Sequence, residues 1–171
     1  MEKYVWLFPL IFIFHDMEEI IGFGIWFKRN KEILVKKYPF ISKRFQDFST
    51  EGFAVAVFEE LIVCIAFSVL AEYTNVEFFK LFWLGSFIAC TLHFVVHIGQ
   101  SIVVRKYVPS LITSIICLPI SIWIISKCMF ILECKMEEIV LFSFMGIVVV
   151  FLNLKFARLL MGMFTRRYRY K

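Results

Sequence analysis

The stretch LFPLIFIFHDMEEIIGFGIWF, Leu7 to Phe27, has the length and apolar character of a membrane-spanning helix. Its centre nevertheless carries four ionisable side chains: His15, Asp16, Glu18 and Glu19. Ionisable groups inside a bilayer are costly, and where they occur they face the interior of a helix bundle and serve a function. This stretch therefore predicts both a membrane fold and a functional site within it.

The composition supports a membrane protein. Hydrophobic residues make up 61% of the 171 residues, and 22 residues are Phe, whereas soluble domains contain about 45–50% apolar residues. We predict an all-α, polytopic helical bundle in the cell membrane, formed by residues 1–171 as one domain. Five apolar runs approach the ~20 residues that a helical span needs: Tyr4–Phe27, Gly52–Tyr73, Phe78–Val104, Val108–Leu132 and Ile139–Leu160.

Basic residues lie at alternate ends of these runs, in KRNKEILVKKYPFISKR (28–44), at Arg105 and Lys106, and in the tail TRRYRYK (165–171). Basic loops stay in the cytoplasm, which predicts that the N-terminus is outside and the C-terminus inside. We interpret these charges as membrane anchors, so the expected partner is the lipid bilayer and not a nucleic acid. The aromatic stretch YPFISKRFQDF (38–48) is predicted to lie at the membrane interface.

Three runs carry ionisable residues at a similar depth. His97 lies eight residues before Arg105, Glu19 nine before Lys28, and Glu59 seven after Gly52. A helical rise of ~1.5 Å per residue places all three roughly 10–13 Å from the basic flank. We therefore expect these groups to meet in one layer, in the cytoplasmic half of the bundle.

Spacing along each helix supports a shared site. His15 precedes Glu18 and Glu19 by three and four residues, and His93 precedes His97 by four, so each set shares a helix face. Imidazole and carboxylate ligands suit zinc, with iron or manganese as alternatives. The predicted ligands are His15, Glu18, Glu19, Glu59, His93 and His97. Glu59 and Glu60 cannot both point at the site. Hydrogen bonding between neighbouring helices is the competing interpretation.

The landmarks HDMEE (15–19), FEE (58–60), HFVVH (93–97) and RKYVPSLIT (105–113) together resemble the HXXEE-domain family of small multi-span membrane proteins. The resemblance covers roughly residues 8–125 and assigns the signature to His15, Glu18 and Glu19. The family's function is poorly defined, so the resemblance implies a site without a substrate. In outline, His15 with His93 and His97 is also similar to the zinc site of intramembrane amidases such as alkaline ceramidases.

We expect an intramembrane zinc-dependent hydrolase that acts on a lipid or on a membrane-presented peptide. Glu19 or Glu59 would be the catalytic general base, and Arg105, near the expected opening, would bind an anionic group of the substrate. One alternative is a dinuclear iron or manganese oxidoreductase that acts on a lipid. The other is a non-enzymatic carrier of metal ions or protons. The oligomeric state is left open.

Overall fold

The computed structural model describes residues 1–37 and 48–169, and all the regular elements among them are α-helices. The all-α prediction is therefore confirmed. The predicted interfacial stretch, apart from Phe48, lies outside the described residues. The six helices are α1 (Glu2–Val5), α2 (Leu7–Lys37), α3 (Thr50–Tyr73), α4 (Glu77–Val104), α5 (Leu111–Ile131) and α6 (Met136–Arg169).

Four of these helices, α3 to α6, are long and apolar enough to cross a membrane. The sequence predicted five spans, whereas by length and composition four of the described helices qualify. Helix α2 has 31 residues, but it is not among the four because Asp16, Glu18 and Glu19 interrupt its apolar part. The protein thus has the helices of a membrane protein, and one further long helix that carries acidic groups.

Local signals explain where the helices begin and end. The Ser49 side chain accepts a 3.0 Å hydrogen bond from the Gly52 amide and caps α3. Helix α4 ends at Arg105, which has a left-handed backbone with a φ of 52°. Ser110, with a φ of 84°, occupies the same region just before α5. The turn between α4 and α5 is thus tight, which brings the start of α5 close to the end of α4.

Helix α4 is the centre of the bundle. Its Trp83, Phe87 and Phe94 are fully buried, and it contacts α3, α5 and α6. Helices α4 and α6 approach most closely at Gly85 and Gly146. A Cβ at Gly85 would collide with the backbone of Phe142, and one at Gly146 would collide with the backbone of Gly85. Small residues allow this close packing between membrane helices.

We expect Gly85→Ala and Gly146→Ala each to destabilise the bundle, because backbone atoms cannot move aside cheaply. Overpacking of this kind costs about 1–3 kcal/mol, which lowers the Tm of a protein of this size by roughly 2–12 °C. Gly99→Ala is the matched control on the same helix, since nothing lies within 4 Å of its added Cβ. Thermal unfolding in detergent measures the three variants. An equal Tm for all of them would contradict the proposed packing.

A cavity of about 520 Å³, which we call the main cavity, lies between α2, α3, α4 and α6. Phe8, Phe12 and Phe67 line one end. Asp16, Glu19, Glu60, His93 and His97 line its middle. These five ionisable side chains thus face a common internal space.

Candidate metal centre

Helix α4 supplies two histidines one turn apart. The Nε2 atoms of His93 and His97 lie 2.8 Å from each other, and the two ring centroids are 4.2 Å apart. Two neutral imidazoles can share one proton across this distance, and a cation could replace that proton. The spacing of four residues thus directs both ring nitrogens to one point, as the sequence predicted.

Helix α2 brings His15 and Glu19 to the same point. The ring of His15 lies 5.2 Å from that of His97 and 5.8 Å from that of His93, measured between centroids. Glu19 Oε1 lies 3.1 Å from His97 Nε2. One ligand atom from each of these four residues lies within 4.8 Å of the other three. We call His15, Glu19, His93 and His97 the His–Glu cluster.

The orientation of His15 is fixed by Thr113 on α5. Thr113 Oγ1 lies 3.1 Å from His15 Nδ1 and 2.7 Å from Glu18 Oε2. An ionised carboxylate only accepts hydrogen bonds, so the hydroxyl proton goes to Glu18 and the hydroxyl oxygen accepts from His15 Nδ1–H. His15 Nε2 then carries a lone pair. That atom is buried and has no hydrogen-bond partner among the described residues.

Glu18, predicted as a ligand, lies outside the His–Glu cluster and caps the start of α5. Its oxygens accept from the Thr113 amide at 2.8 Å and from the Tyr107 hydroxyl at 2.6 Å, besides the Thr113 hydroxyl. Burial, with the hydrogen bond to Glu18, raises the pKa of Tyr107 to about 12. The phenol therefore stays protonated and continues to donate at neutral pH. Glu18 positions α5 and, through Thr113, His15.

Glu19 is held by the residue that begins the same helix. The Ser110 hydroxyl donates to Glu19 Oε1, the oxygen that also faces His97. Ser110 is completely buried, and its left-handed backbone directs the hydroxyl back towards α2. The two glutamates of the motif therefore contact Ser110 and Thr113, one at each end of the first turn of α5. The sequence did not predict this contact, although Pro109 followed by Ser110 is typical of a helix start.

The two glutamates of α3 have different surroundings. Glu59, predicted as a ligand and as a base, accepts a 3.3 Å hydrogen bond from Asn153 on α6 and is not part of the His–Glu cluster. Glu60, which the sequence left open, lines the main cavity. Asp16 is buried and lines the same cavity. The main cavity thus holds two carboxylates beside the cluster.

Arg105, the predicted substrate residue, lies elsewhere. It lines a smaller cavity of about 290 Å³ together with Lys37 and Lys106. This second cavity shares the walls formed by Trp26, Leu34 and Val104 with the main cavity. Arg105 therefore lies next to the main cavity but does not line it.

The family model described as a protein of unknown function with HXXEE motif matches residues 6–124 of the chain. The match covers more than two thirds of the sequence and includes the His–Glu cluster, Ser110 and Thr113. It ends within α5, before α6 begins. No curated protein and no solved structure matches the chain.

Proposed function

The chain belongs to the HXXEE family, and we propose that this member is an intramembrane zinc-dependent hydrolase. The observation that carries the proposal is the His–Glu cluster, whose four ligand atoms lie within 4.8 Å of one another. Three of its residues, Glu19, His93 and His97, line the main cavity. Three imidazoles and one carboxylate are a donor set that zinc accepts. The family description adds no substrate or reaction, so the chemistry rests on these residues.

The donor spacing is compatible with one small divalent ion. Zinc binds nitrogen and oxygen at about 2.0–2.2 Å, which places tetrahedral ligands roughly 3.3–3.6 Å apart. The separations of 2.8 Å between His93 and His97, and 3.1 Å between His97 and Glu19, lie below that range, and others in the cluster extend to 4.8 Å, above the range. Small side-chain rotations would reach it. The lone pair of the buried His15 Nε2 also gains a partner in this arrangement.

His15, His93 and His97 would hold the ion, and Glu19 would serve as a fourth ligand or as the general base. A bound zinc polarises a carbonyl and lowers the pKa of its water to about 7. As the base, Glu19 would take a proton from the attacking water and return it to the leaving group when the acyl bond breaks. Ser110, which donates to Glu19, fixes the carboxylate in that position. Glu59 is the weaker candidate for the base, because it does not line the main cavity and accepts a hydrogen bond from Asn153.

The substrate would be a lipid or a membrane-embedded peptide, reached from within the bilayer. We place α2 as a fifth span, although its acidic residues set it apart in composition. Asp16 is buried, Glu18 is hydrogen-bonded to α5, and Glu19 is in the cluster. Ionisable residues in membrane helices face the bundle interior in this manner. With that topology, the basic segments support an N-terminus outside and a C-terminus in the cytoplasm.

A second candidate function is dinuclear iron or manganese oxidation of a lipid. It is favoured by Asp16 and Glu60, two carboxylates that line the main cavity beside the cluster. Carboxylate-rich bundle cores hold pairs of such metals.

Metal analysis of the purified protein tests both candidates. We expect one zinc per chain, and two iron or manganese ions per chain would favour oxidation instead. Folded protein that takes up no metal after incubation with each ion would refute both. The measurement is elemental analysis after gel filtration, with the Ser86→Ala variant as a control that changes the cavity wall but not the cluster.

The proposed topology makes a separate prediction. Lys36 and Asn75 are both exposed and lie at opposite ends of the bundle. We expect a cysteine at position 36 to react only after the membrane is permeabilised, and one at position 75 to react in intact cells with an impermeant maleimide. The unsubstituted chain, with its native cysteines, gives the background. The reverse labelling pattern would overturn the orientation.

A further inference from the structure

The main cavity has two chemically different ends. Phe8, Phe12 and Phe67 line the first, which we call the aromatic end. Gln100 and Arg158 line the part next to the His–Glu cluster, on the far side from the aromatic end, and we call this part the arginine end. Along α4 the lining runs from Ser86 to Val104, a length of about 27 Å, close to the ~30 Å hydrocarbon core of a bilayer. The cavity is therefore long, narrow, and polar at one end.

Arg158 lies at the depth of the His–Glu cluster. Trp83, near the start of α4, bonds to Ser68 near the end of α3, and Thr165, near the end of α6, bonds to Ser49 just before the start of α3. Helices α4 and α6 therefore each run antiparallel to α3. They are therefore parallel to each other. They touch where Gly85 meets Gly146. His97 and Arg158 each follow their glycine by 12 residues, so both lie about 18 Å beyond the contact.

The electrostatics of the cavity favour an anion beside Arg158. Asp16, Glu19 and Glu60 make the middle of the cavity acidic. Among the described residues that line the cavity, Arg158 is the one arginine, and none is a lysine. Among the described residues, no carboxylate forms an ion pair with its guanidinium, and the acidic Glu19 pairs with His97 instead. An anionic group would be repelled by the carboxylates and attracted by Arg158, which fixes its position.

We propose that the main cavity binds a single-chain lipid with an anionic group, a phosphate or a carboxylate, held by Arg158. The hydrocarbon chain occupies the aromatic end, and the bond next to the anionic group faces the His–Glu cluster. A volume of about 520 Å³ spread over this length suits one chain and not two. The reaction at the bound lipid rests on the proposed function, whereas the binding of the lipid does not. It replaces Arg105, which lines the neighbouring cavity, as the anion-binding residue.

Binding can be measured with lipids whose chain carries bromine, which quenches tryptophan on contact. Trp26 lines the cavity, and Trp83 packs against Phe8 with ring centroids 6.0 Å apart. The protein is placed in phosphatidylcholine nanodiscs and titrated with three lipids of equal chain length. These are a lysophosphatidic acid, a fatty acid and a neutral monoacylglycerol. The first two arms distinguish a phosphate from a carboxylate.

We expect the wild type to bind one of the anionic lipids more tightly than the neutral lipid. Arg158→Gln should lower the affinity for that anionic lipid by about 10- to 100-fold, the loss typical of a charge-assisted hydrogen bond. It should leave the affinity for the neutral lipid unchanged. Arg158→Lys should be intermediate, because it keeps the charge without the paired donors. Lys155→Gln is the matched control, since Lys155 lies on the same helix over the Phe151 ring and does not line the cavity.

Equal affinity of the wild type for anionic and neutral lipids would overturn the proposal, as would an equal loss in Lys155→Gln. The wild-type comparison stands even if the arginine variants do not fold. Metal content is measured on the same samples. Zinc without selective lipid binding would remove this inference and keep the proposed function. Selective lipid binding without zinc would keep this inference and remove the proposed function.

Discussion

Replacement of His93 or His97 by alanine should empty the candidate metal centre. The two Nε2 atoms lie 2.8 Å apart on one helix face, so each variant removes half of a paired set of ligands. Loss of a residue that only orients a ligand costs roughly 10–100-fold in metal affinity. We therefore expect loss of a ligand itself to cost at least about 100-fold, and zinc should no longer copurify.

Two measurements separate metal loss from misfolding. Gel filtration and helicity in detergent should match the wild type, and Ser86→Ala, on the same helix and the same cavity wall, should retain zinc. A chelator should lower the Tm of the wild type, because an ion at about 1,000 times its Kd stabilises by roughly 4 kcal/mol. It should not affect the alanine variants. Full zinc occupancy in both histidine variants would refute the proposed centre.

The meeting of three histidines and Glu19 could be predicted from the sequence because it depends on simple helix geometry. Four residues make about one turn, so His93 and His97 share a face, as do His15 and Glu19. The depth count from Lys28 and Arg105 placed both pairs at one level, and in the structure their ligand atoms lie within 4.8 Å of one another. Regular helices preserve such spacing over this distance.

The separate roles of the adjacent glutamates could not be predicted in this way. Glu18 and Glu19 differ by about 100° around α2, and either could have faced α4. The outcome depends on α5, whose first turn approaches α2 after the tight turn at Arg105 and Ser110. The same holds on α3, where Asn153 of α6 donates a hydrogen bond to Glu59, and Glu60 lines the main cavity. These contacts are tertiary, and no local pattern carries them.

Two helices extend beyond the apolar runs that hydropathy identifies. Helix α2 continues to Lys37, ten residues beyond the apolar run that ends at Phe27, and α6 reaches Arg169. Lys, Arg and Glu are good helix formers, so charge ends an apolar run without ending a helix. Apolar length predicts where a helix meets lipid, whereas local signals such as the Ser49 cap and the left-handed Arg105 mark where a helix begins or ends.

Thr113→Val should lower zinc affinity by about 10- to 100-fold although Thr113 touches no metal, because residues that orient a ligand have effects of that size. Valine keeps the shape of threonine and removes the hydroxyl that joins Glu18 to His15. His15 then loses the partner that holds its Nδ1–H, and its Nε2 is no longer directed at His93 and His97. Thr113→Ser, which keeps a hydroxyl, should stay close to the wild type.

A double variant decides whether the effect passes through this chain of hydrogen bonds. Glu18→Gln alone should also weaken zinc binding, since glutamine keeps one carbonyl oxygen and its NH2 group cannot accept from Thr113 or Tyr107. If Glu18 acts on His15 through Thr113, the two losses overlap, and Thr113→Val with Glu18→Gln should bind zinc no more weakly than the worse single variant. Independent routes would multiply the two losses. If Glu18 were itself a ligand, Glu18→Gln would remove zinc as completely as His93→Ala, and the capping role inferred from its four donor contacts would be wrong.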